Sequence, residues 1–417
     1  MSFEIAIPTN WRRSSVSKYC HVQLGKMLQS DPSGPEDELL PYLRAINIAK
    51  NGVNLSHQFK MWIKPHEKEK FLLRKGDVLV SEGGDAGRTA HFAESGRYYF
   101  QNAINRVRPL DKETVDGRYL YYWFTFLKLA GYVDLICNVA TIAHFTAEKV
   151  KASPLSFPAL DTQRAIVSFL DTKTAQIDAL IARKRELLAR LAEKRQAIIT
   201  QAVTKGLDPA APMEDSGIVW FGDIPAHWDV KRLNSFCDFQ SGKAHEPFID
   251  PEGDYVCVNA RFISTNGLAE KRCTENLCHA TPNDILMVMS DLPNGRALAR
   301  TFLVDDRDEY AVNQRVCRIR PQRGHPPYFS YQLNRNPQLM RHDDGNEQTH
   351  LPNAAFKQLL LLEPPLAEQQ EIATYLESKR ERIDTLHARV GQSIVRLQEY
   401  RAALIIEAVT GQIAGLK

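Results

Sequence analysis

From residue 158 onward the apolar positions fall into helical spacing: Ile166, Leu170, Ile177, Ile181, Leu188, Leu191 and Ile198 are separated by threes, fours and their sums. Lys173, Lys184 and Arg195 interrupt the stripe. A stripe so narrow predicts a long helix packed on another helix rather than one sunk in a globular core. The spacing returns at Ile372, Leu376, Ile383, Val390, Ile394, Leu397 and Leu404. Helices over residues 158–206 and 364–413 would each outgrow a small domain, since the stretch from Asp161 to Thr204 alone would extend roughly 65 Å at the α-helical rise. The simplest partner for each is the other, running antiparallel as a coiled coil. Gly206 and Gly411 fit C-terminal stops, and the Asp-Pro-Ala-Ala-Pro run at 208–212 marks a linker over 207–221.

Residues 1–157 and 222–363 carry a different pattern, with short apolar runs broken by Gly, Asp, Pro and Asn, as strands and turns require. Strands are expected at 76–81 and 104–108 in the first stretch and at 284–288 and 316–319 in the second, with an aromatic helix over 119–129. The Gly-rich run 83–87 follows a strand but lacks the Lys-Ser/Thr of a phosphate-binding loop, so its glycines serve a tight turn.

The two halves repeat each other. Ile7, Pro8 and Trp11 return as Ile224, Pro225 and Trp228, and Cys20, Gly25 and Lys26 as Cys237, Gly242 and Lys243, all at an offset of 217. Asp77-Val78-Leu79 is echoed by Asp284-Ile285-Leu286, Gly87-Arg88 by Gly295-Arg296, and Arg106-Val107-Arg108-Pro109 by Arg318-Ile319-Arg320-Pro321, at offsets drifting from 207 to 212. Through the helices the offset is a constant 206, from Pro158, Leu160, Gln163 and Ile166 against Pro364, Leu366, Gln369 and Ile372 to Ala202-Val203-Thr204 against Ala408-Val409-Thr410. Loops differ in length between copies and the helices do not. The expected fold class is α+β: two duplicated mixed α/β domains separated by two long helices, related by a pseudo-two-fold axis.

Composition narrows the function classes. Apolar residues make up 43% and charged residues 25%, which excludes a disordered tail. No run of eighteen apolar residues occurs and the first residues lack a signal-peptide pattern, so the expected compartment is the cytoplasm, with no membrane partner. Seven scattered cysteines fit reduced core thiols. A net charge of +3 limits nonspecific affinity for nucleic acid, so such contacts need local patches and a partner sharing the load. Two similar but non-identical domains on a length-matched spacer form a caliper, and DNA is a regular target for one.

Two copies of Ile-Pro-x-x-Trp (Ile7, Pro8, Trp11; Ile224, Pro225, Trp228), each followed by a variable domain, a Pro-x-Leu-x-x-Gln-x-x-Ile segment (Pro158, Leu160, Gln163, Ile166; Pro364, Leu366, Gln369, Ile372) and a long helix, resemble the specificity subunit of type I restriction-modification enzymes. The resemblance covers nearly the whole chain. It implies two target recognition domains that each read half of a split, asymmetric DNA site. It also implies an antiparallel coiled coil that sets the gap and docks two methyltransferase subunits, which in turn support restriction/translocase subunits. Such a subunit carries no catalytic residue or cofactor of its own; S-adenosylmethionine, ATP and Mg belong to the partners.

The residues themselves supply little chemistry. His325-Pro326-Pro327-Tyr328 and Glu363-Pro364-Pro365-Leu366 come nearest to the Asn/Asp-Pro-Pro-aromatic motif of adenine methyltransferases, but the first has the wrong leading residue and the second lacks the aromatic. Cys20-His21, Cys273 and Cys278-His279 have no second pair at zinc-site spacing, so no metal site is expected. Asp85 and Asp291, near Arg88 and Arg296, read as loop ion pairs. Candidate DNA contacts are Lys26, Arg44, Asn47, Lys60, Arg88, Asn102 and Arg106 in the first domain, and Lys243, Asn259, Arg261, Arg296, Asn313, Gln314 and Arg315 in the second. Arg can pair bidentately with guanine and Asn or Gln with adenine, while Lys holds phosphates. Trp11 and Trp228, recurring in the same local context, suit core anchors against the helices. A structural module that uses the helices to hold protein partners without reading DNA remains the alternative at this point.

Overall fold

The structure is a computed structural model that describes residues 6–49, 52–137, 144–291, 297–343 and 349–416. Two helices dominate it, Leu160–Lys205 and Leu366–Val409. The chain falls into two compact units, residues 1–185 with 391–417 and residues 186–390. Each unit therefore combines one mixed domain, the beginning of the helix that follows it, and the end of the other helix. No helix among the described residues is long and apolar enough to cross a membrane.

In the first unit an antiparallel sheet runs in the order Cys20–Leu24, Ile104–Pro109, Val78–Ser81, Thr89–His91. A smaller sheet pairs Glu38–Leu43 antiparallel with Phe59–Ile63 and parallel with Tyr99–Phe100. The aromatic helix Gly117–Leu129 starts at Asp116, whose carboxylate accepts from the Arg118 and Tyr119 amides at 2.7 and 2.9 Å, satisfying two of the donors that a helix start leaves open. Its buried face joins Ile166, Leu170, Ile177 and Ile181 of the first long helix and Leu404, Ile405, Ala408 and Val409 of the second in one core.

The second unit repeats this plan. Its sheet runs Cys237–Ser241, Val316–Pro321, Ile285–Val288, Thr301–Leu303, and Tyr255–Val258 pairs parallel with Tyr310–Val312 as Glu38–Leu43 does with Tyr99–Phe100. The counterpart of the aromatic helix is the shorter Pro326–Leu333. Ala202 and Val203 share a core here with Ile372, Ala373 and Leu376.

Strand pairing corrects one correspondence read from the sequence. Val80 pairs with Thr89, and Met287 with Thr301. Gly87-Arg88 therefore corresponds to Ala299-Arg300, not to Gly295-Arg296. Both Gly87 and Ala299 have positive φ, at 76° and 55°. Alanine fills a conformation that glycine adopts more freely, so composition hid the match.

The segment between the copies is more than a linker. Met213–Asp215 pairs antiparallel with Asp223–Pro225, and Phe221 is buried in the second unit's core. The packing stripe is graded. Ile166, Leu170, Ile177, Ile181, Ile372, Leu376 and Leu404 are buried, whereas Leu188, Leu191, Ile198, Ile383, Val390, Ile394 and Leu397 are half-buried. A helix packed on a single neighbour covers only one side of such residues, while those under a domain are covered twice.

Polar clamps recur in both units, around a buried carboxylate at Asp77 and Asp284 and at the surface in the Arg195–Asp384 pair. Arg108 grips Asp77 through Nε and Nη2 at 2.6 and 2.7 Å, and Arg320 grips Asp284 at 2.7 and 2.7 Å. The Gln163 amide accepts from the Asp116 N–H and donates to the Pro158 carbonyl, as Gln369 does with His325 and Pro364. The Arg401 guanidinium meets Asp178 at 3.1 Å in the first unit, and Arg195 meets Asp384 at 2.9 Å in the second. These two pairs are copies of one another at the 206 offset, and each joins one long helix to the other.

Removing the buried carboxylate leaves a partly exposed guanidinium and the backbone N–H of Arg74 or Thr281 without their acceptor. Asp77 and Asp284 are 1% exposed, so Asp77→Ala and Asp284→Ala should each cost about 3 kcal/mol, measured by urea unfolding. A loss below about 1 kcal/mol, the range of a surface pair, would contradict this assignment.

Candidate nucleic-acid interface

Some of the expected contact residues, Lys26 and Asn102 in the first unit and Lys243 and Asn313 in the second, meet at one backbone crossing in each unit. After the strand Cys20–Leu24, the Gly25 N–H donates to the Ile104 carbonyl at 3.0 Å and the Lys26 N–H to that of Phe100 at 2.9 Å. The Asn102 N–H returns to the Lys26 carbonyl at 2.9 Å. A Cβ on Gly25 would lie 2.2 Å from the Gln101 carbonyl oxygen, so only glycine permits the crossing. In the second unit Gly242 N–H donates to Val316 and Lys243 N–H to Val312, at 2.8 and 3.0 Å, and a Cβ on Gly242 would lie 2.1 Å from the Asn313 oxygen.

Around the first crossing Arg44 and Lys60 are exposed, and Arg88 and Asn102 are half-buried. The Arg44 guanidinium sits 4.9 Å from the Phe59 ring centroid, a cation–π contact that orients its fork. Arg88 donates from Nη2 to the Ala45 carbonyl at 2.6 Å, while its buried Nε makes no hydrogen bond among the described residues and lies 3.9 Å from Asp85. Three candidates face inward. Lys26 is ion-paired with Glu67 at 2.7 Å. The Asn47 oxygen accepts from the Arg44 amide, and its nitrogen donates to the Asn54 and His57 carbonyls. Arg106 is 3% exposed and donates to the Lys70 and Leu72 carbonyls. Burial and the neighbouring Arg108 pull its pKa down to about 10. These three side chains hold the interface together instead of forming its surface.

Around the second crossing Lys243, Arg261, Gln314 and Arg315 are exposed. Asn313 is buried and donates to Glu246 at 3.1 Å. Burial raises the pKa of Glu246, but that bond and nearby positive charge outweigh it and leave the pKa lowered. Asn259 caps the short helix Ala260–Ser264 by accepting from the Phe262 amide at 2.9 Å. Arg296 lies outside the described residues. Both acids that brace the crossings, Glu67 and Glu246, were invisible in the sequence because neither adjoins its partner there. So was buried His245, bonded through Nδ1 to the Lys243 carbonyl and through Nε2 to the Leu277 amide.

The remaining candidate chemistry resolves into structure. Tyr328 is buried with its hydroxyl on the Val203 carbonyl, so the Pro-Pro-Tyr segment starts a helix. The closer partner of Asp85 is Lys128, with Arg88 at 3.9 Å, and Asp291 accepts from the Ala297 amide. All seven cysteines are unbridged and buried, and among the described residues no group of three or more His, Cys, Asp or Glu could hold a metal.

Known proteins share this plan. Residues 8–190 and 225–394 match the type I restriction modification DNA specificity domain. A putative type I restriction enzyme specificity subunit of Haemophilus influenzae is 33% identical over 98 residues, 24% of either protein. The EcoBI specificity subunit of Escherichia coli is 32% identical over 108 residues, 24% of this chain and 22% of that one. The matches thus span about a quarter of the length of these curated relatives. In fold, a chain from a structure of type I restriction-modification complex assembly superposes with a TM-score of 0.75 at 15% identity, covering 98% of this chain and 99% of that one. The HsdS subunit from Thermoanaerobacter tengcongensis gives 0.52 at 16% identity, covering 98% of each. With both repeats matched over most of its length, the chain belongs to the type I restriction-modification DNA specificity family.

Proposed function

We propose that this chain is a non-catalytic subunit that reads a bipartite, asymmetric DNA sequence with its two domains and directs adenine methylation and ATP-dependent restriction by partner subunits in the cytoplasm. The observation that carries this reading is the duplicated Gly-Lys crossing with unlike side chains around it. The first presents Arg44, Lys60, Arg88 and Asn102; the second presents Lys243, Arg261, Gln314 and Arg315. Scaffold repetition with divergent donors suits two domains that read different words by the same approach.

The long helices act as spacer and platform. The constant 206 offset, helices of 46 and 44 residues, and the corresponding pairs Asp178–Arg401 and Arg195–Asp384 support a pseudo-two-fold antiparallel coiled coil. Leu180 and Leu386 occupy equivalent positions and are 45% and 47% exposed. Exposed leucine at the same place in both repeats suits two like partners, hence two methyltransferase subunits. Those partners bring S-adenosylmethionine, and the restriction/translocase subunits bring ATP and Mg.

Reconstitution with cognate methyltransferase subunits, followed by mapping of methylated adenines, tests the reading. The complex should methylate a split site and the isolated chain should transfer no methyl group. Methylation by the verified isolated chain, or a complex indifferent to sequence, would refute it.

Exchanging residues 222–363 for those of a related subunit should change one half-site and leave the other intact. Adding matched turns to both helices should lengthen the unread gap while both half-sites persist; an active complex with the old spacing would rule out the spacer role.

A further inference from the structure

The two crossings match each other bond by bond. The Gln101 N–H donates to the Leu43 carbonyl at 3.0 Å, and the Asn313 N–H to the Val258 carbonyl at 3.1 Å. Lys26 bridges to Gln101 as Lys243 does to Asn313, in parallel register each time. Leu43 therefore corresponds to Val258 and, three residues on, Ile46 corresponds to Arg261.

Both residues stand on short helices that are fixed from beneath. Ile46 is the middle residue of the turn Ala45–Asn47, where the buried Asn47 side chain accepts from the Arg44 amide and donates to the Asn54 and His57 carbonyls. Arg261 lies in Ala260–Ser264, whose start is capped by Asn259 and whose Phe262 and Ile263 are buried. A side chain on such a base is presented in a set place, so binding has little backbone to order.

What the two helices present differs. Ile46 is 59% exposed. Arg261 is exposed, and its guanidinium makes no hydrogen bond or ion pair among the described residues. On the other side of Gln101, Met27 follows Lys26 and is 75% exposed, and its counterpart Ala244 carries only a methyl group. A lone exposed isoleucine needs no explanation, but here two large apolar side chains flank one crossing, and their counterparts at the other are alanine and arginine. A scaffold that repeats its glycine, its lysine and its backbone bonds has no reason to exchange isoleucine for arginine at one point. In the major groove thymine offers a C5 methyl group, and guanine offers the N7 and O6 acceptors. An apolar side chain suits the first and a guanidinium fork the second, whereas isoleucine gains nothing from a phosphate.

We propose that Ile46 and Arg261 are equivalent base-reading residues: Ile46 packs on the methyl group of a thymine in the first unit's half-site, and Arg261 donates to N7 and O6 of a guanine in the second's. The proposal rests on the DNA-reading function above and names the base edge that each unit reads at this point.

The test uses the full chain assembled with its methyltransferase partners and bound to its split site, the half-sites being assigned by the domain exchange described above. Deoxyuridine, which lacks the methyl group, replaces each thymine of the first half-site in turn, and 7-deazaguanine, which lacks the N7 acceptor, replaces each guanine of the second. One deoxyuridine position should weaken binding about fourfold, the effect of one buried methyl group, and one deazaguanine position about tenfold. I46A should bind the thymine duplex and that deoxyuridine duplex equally, and R261A should be equally blind to that deazaguanine. Wild-type insensitivity to every substitution, with the split site still recognised, would overturn the proposal and leave the DNA-reading function standing. Sensitivity that survives in I46A or R261A would do the same. A loss in R261A equal on cognate and scrambled duplexes, with a shallower salt dependence, would make Arg261 a phosphate contact. Weakened partner assembly in I46A with unchanged DNA discrimination would make Ile46 a protein contact; either result overturns the proposal. A wild-type complex that ignores sequence would overturn both the proposal and the function on which it rests.

Discussion

A long helix has to end somewhere, and its last carbonyls must find donors. In this protein each long helix ends inside the compact unit built around the other repeat's domain. The Val409 carbonyl accepts from Tyr119 and the Val203 carbonyl from Tyr328, both at 3.4 Å. Gly411 and Gly206 then turn the chain with φ +71° and +74°. A Cβ on Gly411 would meet Pro8 and Trp11, and one on Gly206 would meet Trp228 and Pro225. The repeated Ile-Pro-x-x-Trp motif is thus a seat for the glycine that closes a helix. The Trp11 and Trp228 amides return to the Pro8 and Pro225 carbonyls and hold that seat in a turn. The composition of the two units follows from this exchange of helix ends.

With the frame fixed, the buried polar groups divide into those that recur and those that do not. Asp77–Arg108, Asp284–Arg320 and the two bridging glutamines are the same in both units and satisfy backbone groups that burial would leave bare. Lys26 with Glu67 and Asn313 with Glu246 solve one problem with different residues, because a crossing loop needs a brace but not a particular one. Farther out, Lys60, Gln314 and Arg315 make no side-chain hydrogen bond or ion pair among the described residues, and Arg44 is held only against the Phe59 ring, so identity there is set by what the surface is for.

Much of the frame was legible because duplication writes the same constraint twice. The constant offset of 206 sets Asp178 against Asp384, and Arg195 breaks the apolar stripe; the structure joins these facts by pairing each charge with the other helix. The helix limits differed from expectation by only a few residues, as terminal turns generally do. The interface was less legible. Whether Lys26, Asn47, Arg106 or Asn313 faces outward depends on contacts remote in sequence, such as Glu67 against Lys26. Arg300 escaped notice for a different reason: the expected Gly-Arg signature had become Ala299-Arg300, and a glycine placed earlier in the loop drew the alignment to Arg296. The strand at 213–215 was masked by the proline and alanine run before it.

The exchange of helix ends also fixes an order of events during synthesis. Leu404, Ile405, Ala408 and Val409 complete the core of the first unit, yet they leave the ribosome after the whole second mixed domain. At typical translation rates of about 5 to 20 residues per second, the first domain waits on the order of ten seconds or more with an apolar seat open. The second unit draws on residues 186–390 alone and can close before the chain ends. The N-terminal half of this protein is therefore begun first and finished last, and its uncovered seat is the surface a nascent-chain chaperone would meet.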